Sequence, residues 1–239
     1  MMNSVERMIY SKKKKHFTLI DPAKKTLSKE QVQMLEKFGT DAIMLGGSTG
    51  ISQSGLDRQI RLIKKHSRIP TILFPGGING LSRHADALFF MSLLNSRDPY
   101  WITGVQSMGA PVVKQLGIES IPMAYIIIEP GMKAGEVGKA VPIKRSDTKL
   151  AAGYALAAQH MGFRLVYLEA GSGADRPVPP KMISTVKRSI DIALIAGGGI
   201  RTPEQARSAA RAGADIIVTG TIGEENFFAL KEIIKAVKE

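Results

Sequence analysis

The chain has 239 residues, no cysteine, 44% hydrophobic content and a formal charge of +12, from 33 Lys and Arg against 21 Asp and Glu. That length suits one α/β domain with a full core, and the lack of cysteine excludes a disulfide framework, a thiol nucleophile and a Cys-based metal site. The charge favours anionic partners, while no apolar run approaches the roughly 20 residues that span a bilayer.

Residues 1–15 carry Lys12, Lys13, Lys14 and Lys15 but no apolar segment before a small-residue cleavage site, so they are not a secretory signal. They read as a loose basic arm ahead of a single domain over 16–239, and the chain is expected to be cytoplasmic. The lysine run reads first as a solvated arm and second as a lure for anionic lipid or nucleic acid.

Residues 16–20 form a short apolar strand that ends at Asp21-Pro22. Residues 29–38 have helical apolar spacing, with Ser28 as N-cap. Strands follow at 41–45, running into Gly46-Gly47-Ser48-Thr49-Gly50, and at 70–74, closed by Pro75-Gly76-Gly77, with a helix over 56–66 between them. The next strand, 87–91, is reached without a long helix. A helix over 100–116, a strand over 123–128, a Gly-rich loop over 129–142 and a helix over 147–161 lead to a strand at 164–168. Strands at 192–196 and 215–218 then alternate with helices at 181–188, 203–212 and 226–237. Short, continuously apolar strands separated mostly by helices predict a parallel sheet buried on both faces. It is expected to close as a (β/α)8 TIM barrel with its functional groups at the C-terminal strand ends.

Three glycine-bearing loops follow late strands: Tyr167-Leu168-Glu169-Ala170-Gly171-Ser172-Gly173, Gly197-Gly198-Gly199-Ile200-Arg201 and Val218-Thr219-Gly220-Thr221. Glycine lets the backbone approach a ligand and offer its N–H groups to an anion, so three converging loops read as a phosphate cradle. Any one of them alone reads as a tight βα turn. Glu169 lies inside this cradle, where a carboxylate beside an anion is unfavourable unless it has work to do, such as accepting a proton from a substrate hydroxyl. The other reading is an ion pair with a nearby Arg or Lys. Asp21 and Ser48 follow the first two strands and would be neighbours, a thin protein shell for Mg²⁺; an Asp-Pro turn explains Asp21 equally well. The four histidines do not cluster, and the few aromatics show no stacking pattern, so nucleic-acid binding is not expected.

Taken in order, Leu19-Ile20-Asp21-Pro22-Ala23-Lys24, Gly46-Gly47-Ser48, Phe74-Pro75-Gly76, Leu93-Leu94-Asn95-Ser96, Tyr125-Ile126-Ile127-Ile128-Glu129-Pro130-Gly131 and the three glycine loops form a joint pattern. With it, the chain resembles the archaeal geranylgeranylglyceryl phosphate synthases, relatives of the bacterial heptaprenylglyceryl phosphate synthases, from about residue 16 onward. The resemblance implies a modified TIM barrel in which a non-helical segment replaces one helix. It also implies transfer of a geranylgeranyl group from geranylgeranyl diphosphate to the C3 hydroxyl of sn-glycerol 1-phosphate, the first ether-bond step of archaeal membrane lipids. By the same resemblance Tyr167, Leu168, Glu169, Ala170, Gly171, Ser172, Gly173, Gly198, Gly199, Gly220 and Thr221 bind sn-glycerol 1-phosphate, Glu169 is the base, and Asp21 and Ser48 hold Mg²⁺. A homo-oligomer, dimer or hexamer, is implied as well, and peripheral contact with membrane is compatible with it. The tail needs an apolar groove, sought among Tyr100, Trp101, Ile102, Met108, Tyr125 and Ile127, where ordinary core packing is the competing reading. The bacterial relatives have a Lys two positions before the motif Asp. Leu19 stands there, which leans towards the archaeal activity. No Asp-rich DDxxD motif occurs, against a chain-elongating prenyl synthase. A phosphate-binding isomerase or aldolase on the same barrel is the alternative.

Overall fold

Eight strands close in sequence order into one parallel barrel, in a computed structural model that describes residues 4–47 and 52–239. They are β1 (Lys15–Ile20), β2 (Ala42–Leu45), β3 (Thr71–Leu73), β4 (Ala87–Leu93), β5 (Glu119–Ile127), β6 (Leu165–Glu169), β7 (Ala193–Gly197) and β8 (Ile216–Thr219). β8 pairs back onto β1, with Phe17 opposite Val218. Strand alternation produces two cores. Phe17, Met44, Phe89, Met123, Leu165 and Ile195 fill the barrel, while Ile20, Ile43, Leu45, Val166 and Leu168 pack in the layer beneath the helices. Each fully buried side chain of this size contributes about 1.5–3 kcal/mol, which is why these strands are apolar on both faces.

The helices are α1 (Ser4–Ile9), α2 (Lys29–Phe38), α3 (Gln53–His66), α4 (Val105–Leu116), α5 (Met132–Val137), α6 (Thr148–His160), α7 (Pro180–Ser189), α8 (Pro203–Arg211), α9 (Thr221–Glu225) and α10 (Ala229–Lys238). Their ends are set locally. Ser28 and Gln31 make a reciprocal capping box on α2, which stops at Gly39 with φ 87°; Thr202 and Gln205 repeat the box on α8. Between β3 and β4 there is only a 3-10 turn at Ile78–Gly80, so one barrel helix is indeed replaced by a non-helical segment. Among the described residues, no helix is long and apolar enough to cross a membrane.

Three sequence expectations change. Residues 4–9 are not a loose arm. They form α1, whose Val5 and Ile9 are buried with Phe17 and Leu165 in the inner core at the barrel's N-terminal end. The Glu119 carboxylate accepts from the Val5 and Glu6 amides at 3.1 and 2.7 Å, capping the helix. Lys15 opens β1 and is buried, its Nζ donating to the Ser11 and Lys13 carbonyls, and Lys14 pairs with Asp215 at 3.7 Å. The glycine-rich loop over 129–142 contains α5. The helix expected over 100–116 starts as a π-helical turn, Tyr100–Gly104. His16 is a packing residue: it is buried between Thr40 (Nδ1 to Oγ1, 3.0 Å) and Thr219 (Nε2 to Oγ1, 2.9 Å), and burial pushes its pKa down to about 3.

Candidate active site

β6 delivers the central side chains. Its alternation turns Tyr167 and Glu169 inward and Leu168 outward into the barrel–helix layer, so the Leu168 side chain takes no part in a phosphate site. Glu169 is 5% exposed. Burial raises its pKa, while hydrogen bonds from the Tyr167 hydroxyl, the Gly171 amide (2.6 Å) and the Tyr125 hydroxyl act in the opposite sense by favouring the anion. Burial, and then the negative charge of Glu169, push both phenols well above the usual tyrosine value, so they stay protonated and donate. The partners of the carboxylate are therefore phenols and an amide, not the Arg or Lys of the ion-pair reading.

Backbone contact between loops explains the glycines. Gly171, Gly173, Gly198 and Gly199 have φ of 104°, 80°, 79° and 72°, in the left-handed region. A Cβ on Gly198 would lie 2.3 Å from Glu169 Oε1 and 2.6 Å from the Gly171 nitrogen, and one on Gly171 would lie 2.7 Å from the Gly131 oxygen. The loops after β5, β6 and β7 thus stack directly on one another. Ser172, Gly173, Gly198, Gly199, Gly220 and Thr221 come together around a small recess with Tyr167, Glu169 and Arg201, and Ser172 Oγ meets Thr221 Oγ1 at 3.1 Å. Two of the expected cradle residues do otherwise. The Ala170 amide donates to the Gly197 carbonyl, the Gly171 amide donates to Glu169, and the Ala170 side chain is buried in the outer core. Arg201 reaches away to Glu225 at 2.8 Å.

Beside the recess lies an apolar cavity of about 420 Å³. Leu19, Glu169, Ser172, Gly220 and Thr221 line both, so Glu169 sits in their common wall. The cavity runs past Phe74, Ile78 and Met91 towards Gln106, Gly109 and Val113 on α4, through the space left uncovered by the missing helix. Of the six residues expected to form a groove, Trp101 and Tyr125 line it. Tyr100 and Met108 are 42% and 55% exposed, Ile102 offers its carbonyl to Ser92 Oγ at 2.7 Å, and Ile127 is fully buried under Gly131 and Gly135. Sequence reasoning gave Phe74 and Lys24 only as motif residues, without a place in the groove, and missed Val105, Gly109, Val113 and Lys133. The available signal was the absent helix, which had to leave some stretch of barrel uncovered. Phe74, Tyr125 and Tyr167 cluster at the cavity's head, with ring centroids 5.2–5.8 Å apart.

Asp21 lines the same cavity, 9% exposed, with its Oδ1 accepting from the Ala23 amide at 3.1 Å and Lys24 Nζ 3.9 Å from Oδ2. A Cβ on Gly47 would fall 2.3 Å from Asp21 Oδ1, so the carboxylate lies directly against the backbone of this glycine, which no larger residue could replace without a shift. A single carboxylate on the cavity wall fits a divalent ion that takes its other ligands from water and phosphate oxygens. Ser48 lies outside the described residues, and among the described residues no three His, Cys, Asp or Glu side chains converge as a metal site.

Comparison with known proteins places this geometry in context. The PcrB family profile matches residues 8–239. The geranylgeranylglyceryl phosphate synthase of Thermococcus kodakarensis is 58% identical over 229 residues, covering 94% of this chain and 91% of its own. That of Thermococcus gammatolerans is 59% identical over 230 residues, with the same coverage of 94% and 91%. The crystal structure of (S)-3-O-geranylgeranylglyceryl phosphate synthase from Thermoplasma acidophilum, in complex with its substrate sn-glycerol-1-phosphate, is 46% identical. It matches with a TM-score of 0.95 over 100% of this chain and 99% of that one.

Proposed function

The chain belongs to the PcrB family, and from that membership and the wall its two cavities share we propose that it transfers a geranylgeranyl group from geranylgeranyl diphosphate to the C3 hydroxyl of sn-glycerol 1-phosphate. The carrying observation is that Glu169 stands between a glycine-lined recess and a long apolar cavity. A base there can serve a small phosphorylated alcohol on one side and the reacting end of a lipid on the other.

The glycine loops after β6, β7 and β8 would hold the phosphate through backbone N–H groups and through Ser172 and Thr221, fixing which hydroxyl faces Glu169. The prenyl chain would lie in the apolar cavity, with about 0.8 kcal/mol gained for each methylene removed from water. Asp21, with Ser48, would hold Mg²⁺, which when bound neutralises charge on the leaving diphosphate. Lys24 and Lys133 line the same cavity and would add donors to that group. As the C1–O bond of the prenyl diphosphate breaks and the glycerol oxygen bonds to C1, the hydroxyl proton passes to the Glu169 carboxylate. The Phe74 and Tyr125 rings at the head of the cavity would attract the developing allylic cation, a cation–π effect of about 0.5–2 kcal/mol.

Chelation tests the metal-assisted reading. With EDTA present, ether formation from the two substrates should stop, and it should return on adding excess Mg²⁺. Turnover that survives exhaustive chelation would contradict the role given to Asp21 and Ser48.

A further inference from the structure

We infer that Arg145, which lines neither cavity, is a positioning residue that holds the loop after β6 against the loop after β7 and so shapes the phosphate recess. This rests on reading that recess as the sn-glycerol 1-phosphate site. The segment between α5 and α6 brings the Arg145 guanidinium to three backbone carbonyls. Nη2 donates to Pro177 O at 2.7 Å, and Nη1 donates to Glu129 O at 3.3 Å and Arg176 O at 3.5 Å. Its own amide donates to the Glu129 carboxylate at 3.2 Å, which fixes where the side chain starts. One end of this clasp is rigid, because the Glu129 amide donates to Ile143 O and the Ile128 amide to Glu169 O, the carbonyl of the base itself.

The other end presses on the recess. A Cβ on Gly199 would lie 2.7 Å from the Arg176 carbonyl carbon and 2.9 Å from the Pro177 nitrogen, so the 176–177 backbone is seated on Gly199, which is in the left-handed region with φ 72°. Ala174 and Val178 are buried on either side of this segment, whereas Asp175 and Arg176 are exposed. The exposed middle of the loop therefore takes its position from the guanidinium. Without it, the segment can lift and Gly199 loses the surface that sets its conformation.

The task suits arginine and not lysine. A planar fork with donors in fixed directions can serve carbonyls on two loops at once, whereas an ammonium on a flexible stem serves them as a point charge. Burial and the neighbouring Arg176 charge lower the Arg145 pKa, with Glu129 opposing, yet a guanidinium stays charged throughout the working range. That separates geometry from charge, because Arg145→Lys keeps the charge and loses the fork.

Titration calorimetry of sn-glycerol 1-phosphate into full-length wild type, Arg145→Lys and Arg145→Ala tests this, alongside steady-state kinetics and thermal melts. Both variants should bind the phosphate about tenfold more weakly or worse, a loss typical of misplaced substrate-holding groups. The KM for prenyl diphosphate should be unchanged, and kcat at saturating glycerol phosphate should stay within about twofold of wild type. Should Arg145→Ala fail to fold, the lysine variant still decides. Wild-type affinity in Arg145→Lys would overturn the inference in favour of a charge effect or no role. A fall in kcat and melting temperature with unchanged affinity would overturn it in favour of plain stability. If wild type itself does not bind sn-glycerol 1-phosphate, the recess reading falls first and this inference with it.

Discussion

Glu169 is held between opposing forces. Burial favours its protonated form, while two phenols and an amide favour the anion, and the net result is a raised pKa. A stronger base results, but one that acts only when ionised, so the acidic limb of kcat/KM should fall above the ordinary glutamate value of about 4.3. The linkage runs the same way: the folded state binds this proton more tightly than the unfolded chain, so the stability that Glu169 contributes is present at low pH and lost as pH rises through its folded pKa. Glu169→Gln should thus fold at least as well as wild type at neutral pH and bind sn-glycerol 1-phosphate with similar affinity. It should lose about 10²–10⁴-fold in turnover. A variant with near-normal turnover would remove Glu169 from the mechanism. Glu169 was legible in the sequence because a carboxylate inside a glycine loop is electrostatically out of place. Leu168 and Ala170 were misplaced because a contiguous motif hides the strand's alternation, which sends every second side chain away from the site.

At the scale of elements, the missing helix between β3 and β4 was legible as a spacing too short for a helix, and it opens the wall through which the apolar cavity runs. The lining of that cavity was not legible. It depends on how the π-helical turn Tyr100–Gly104 is stitched to β4, where Ser92 Oγ donates to Ile102 O, and Gln106 Nε2 donates to Met91 O at 2.7 Å and Trp101 O at 3.1 Å. Those bonds turn Trp101 towards the groove and leave Tyr100 and Met108 outside. α1 escaped sequence reading because six residues beside a lysine run carry too little periodicity, although its packing is extensive. Ile9→Ala should destabilise the protein by about 2–5 kcal/mol, as for other fully buried aliphatic truncations, and leave kcat near wild type below the melting transition. Denaturant unfolding checks this. A loss under about 0.5 kcal/mol, the scale of ordinary surface substitutions, would mean that α1 is not the closure of the barrel's lower end.

At the scale of the whole molecule, the proposed reaction must bring together unlike substrates. A closed parallel barrel gathers eight strand ends at one mouth, so loops distant in sequence can build a polar recess at β6–β8 and an apolar groove at β3–β5 within one wall's thickness. Residues as far apart as Leu19 and Thr221 then share a surface with Glu169. Barrel class and the convergence of the glycine loops on one recess were readable because glycine loops at strand ends follow directly from backbone sterics. The lining of the apolar cavity was not, since apolar residues lining a cavity carry the same pattern as those filling a core. The most direct measurement is turnover with geranylgeranyl diphosphate and Mg²⁺, offering sn-glycerol 1-phosphate and sn-glycerol 3-phosphate separately and analysing the lipid product by mass spectrometry. Geranylgeranylglyceryl phosphate is predicted from the 1-phosphate, with the 3-phosphate a poor substrate. No ether product from either, with the protein folded, would contradict the proposed function. Equal product from both would contradict a recess that selects the hydroxyl presented to Glu169.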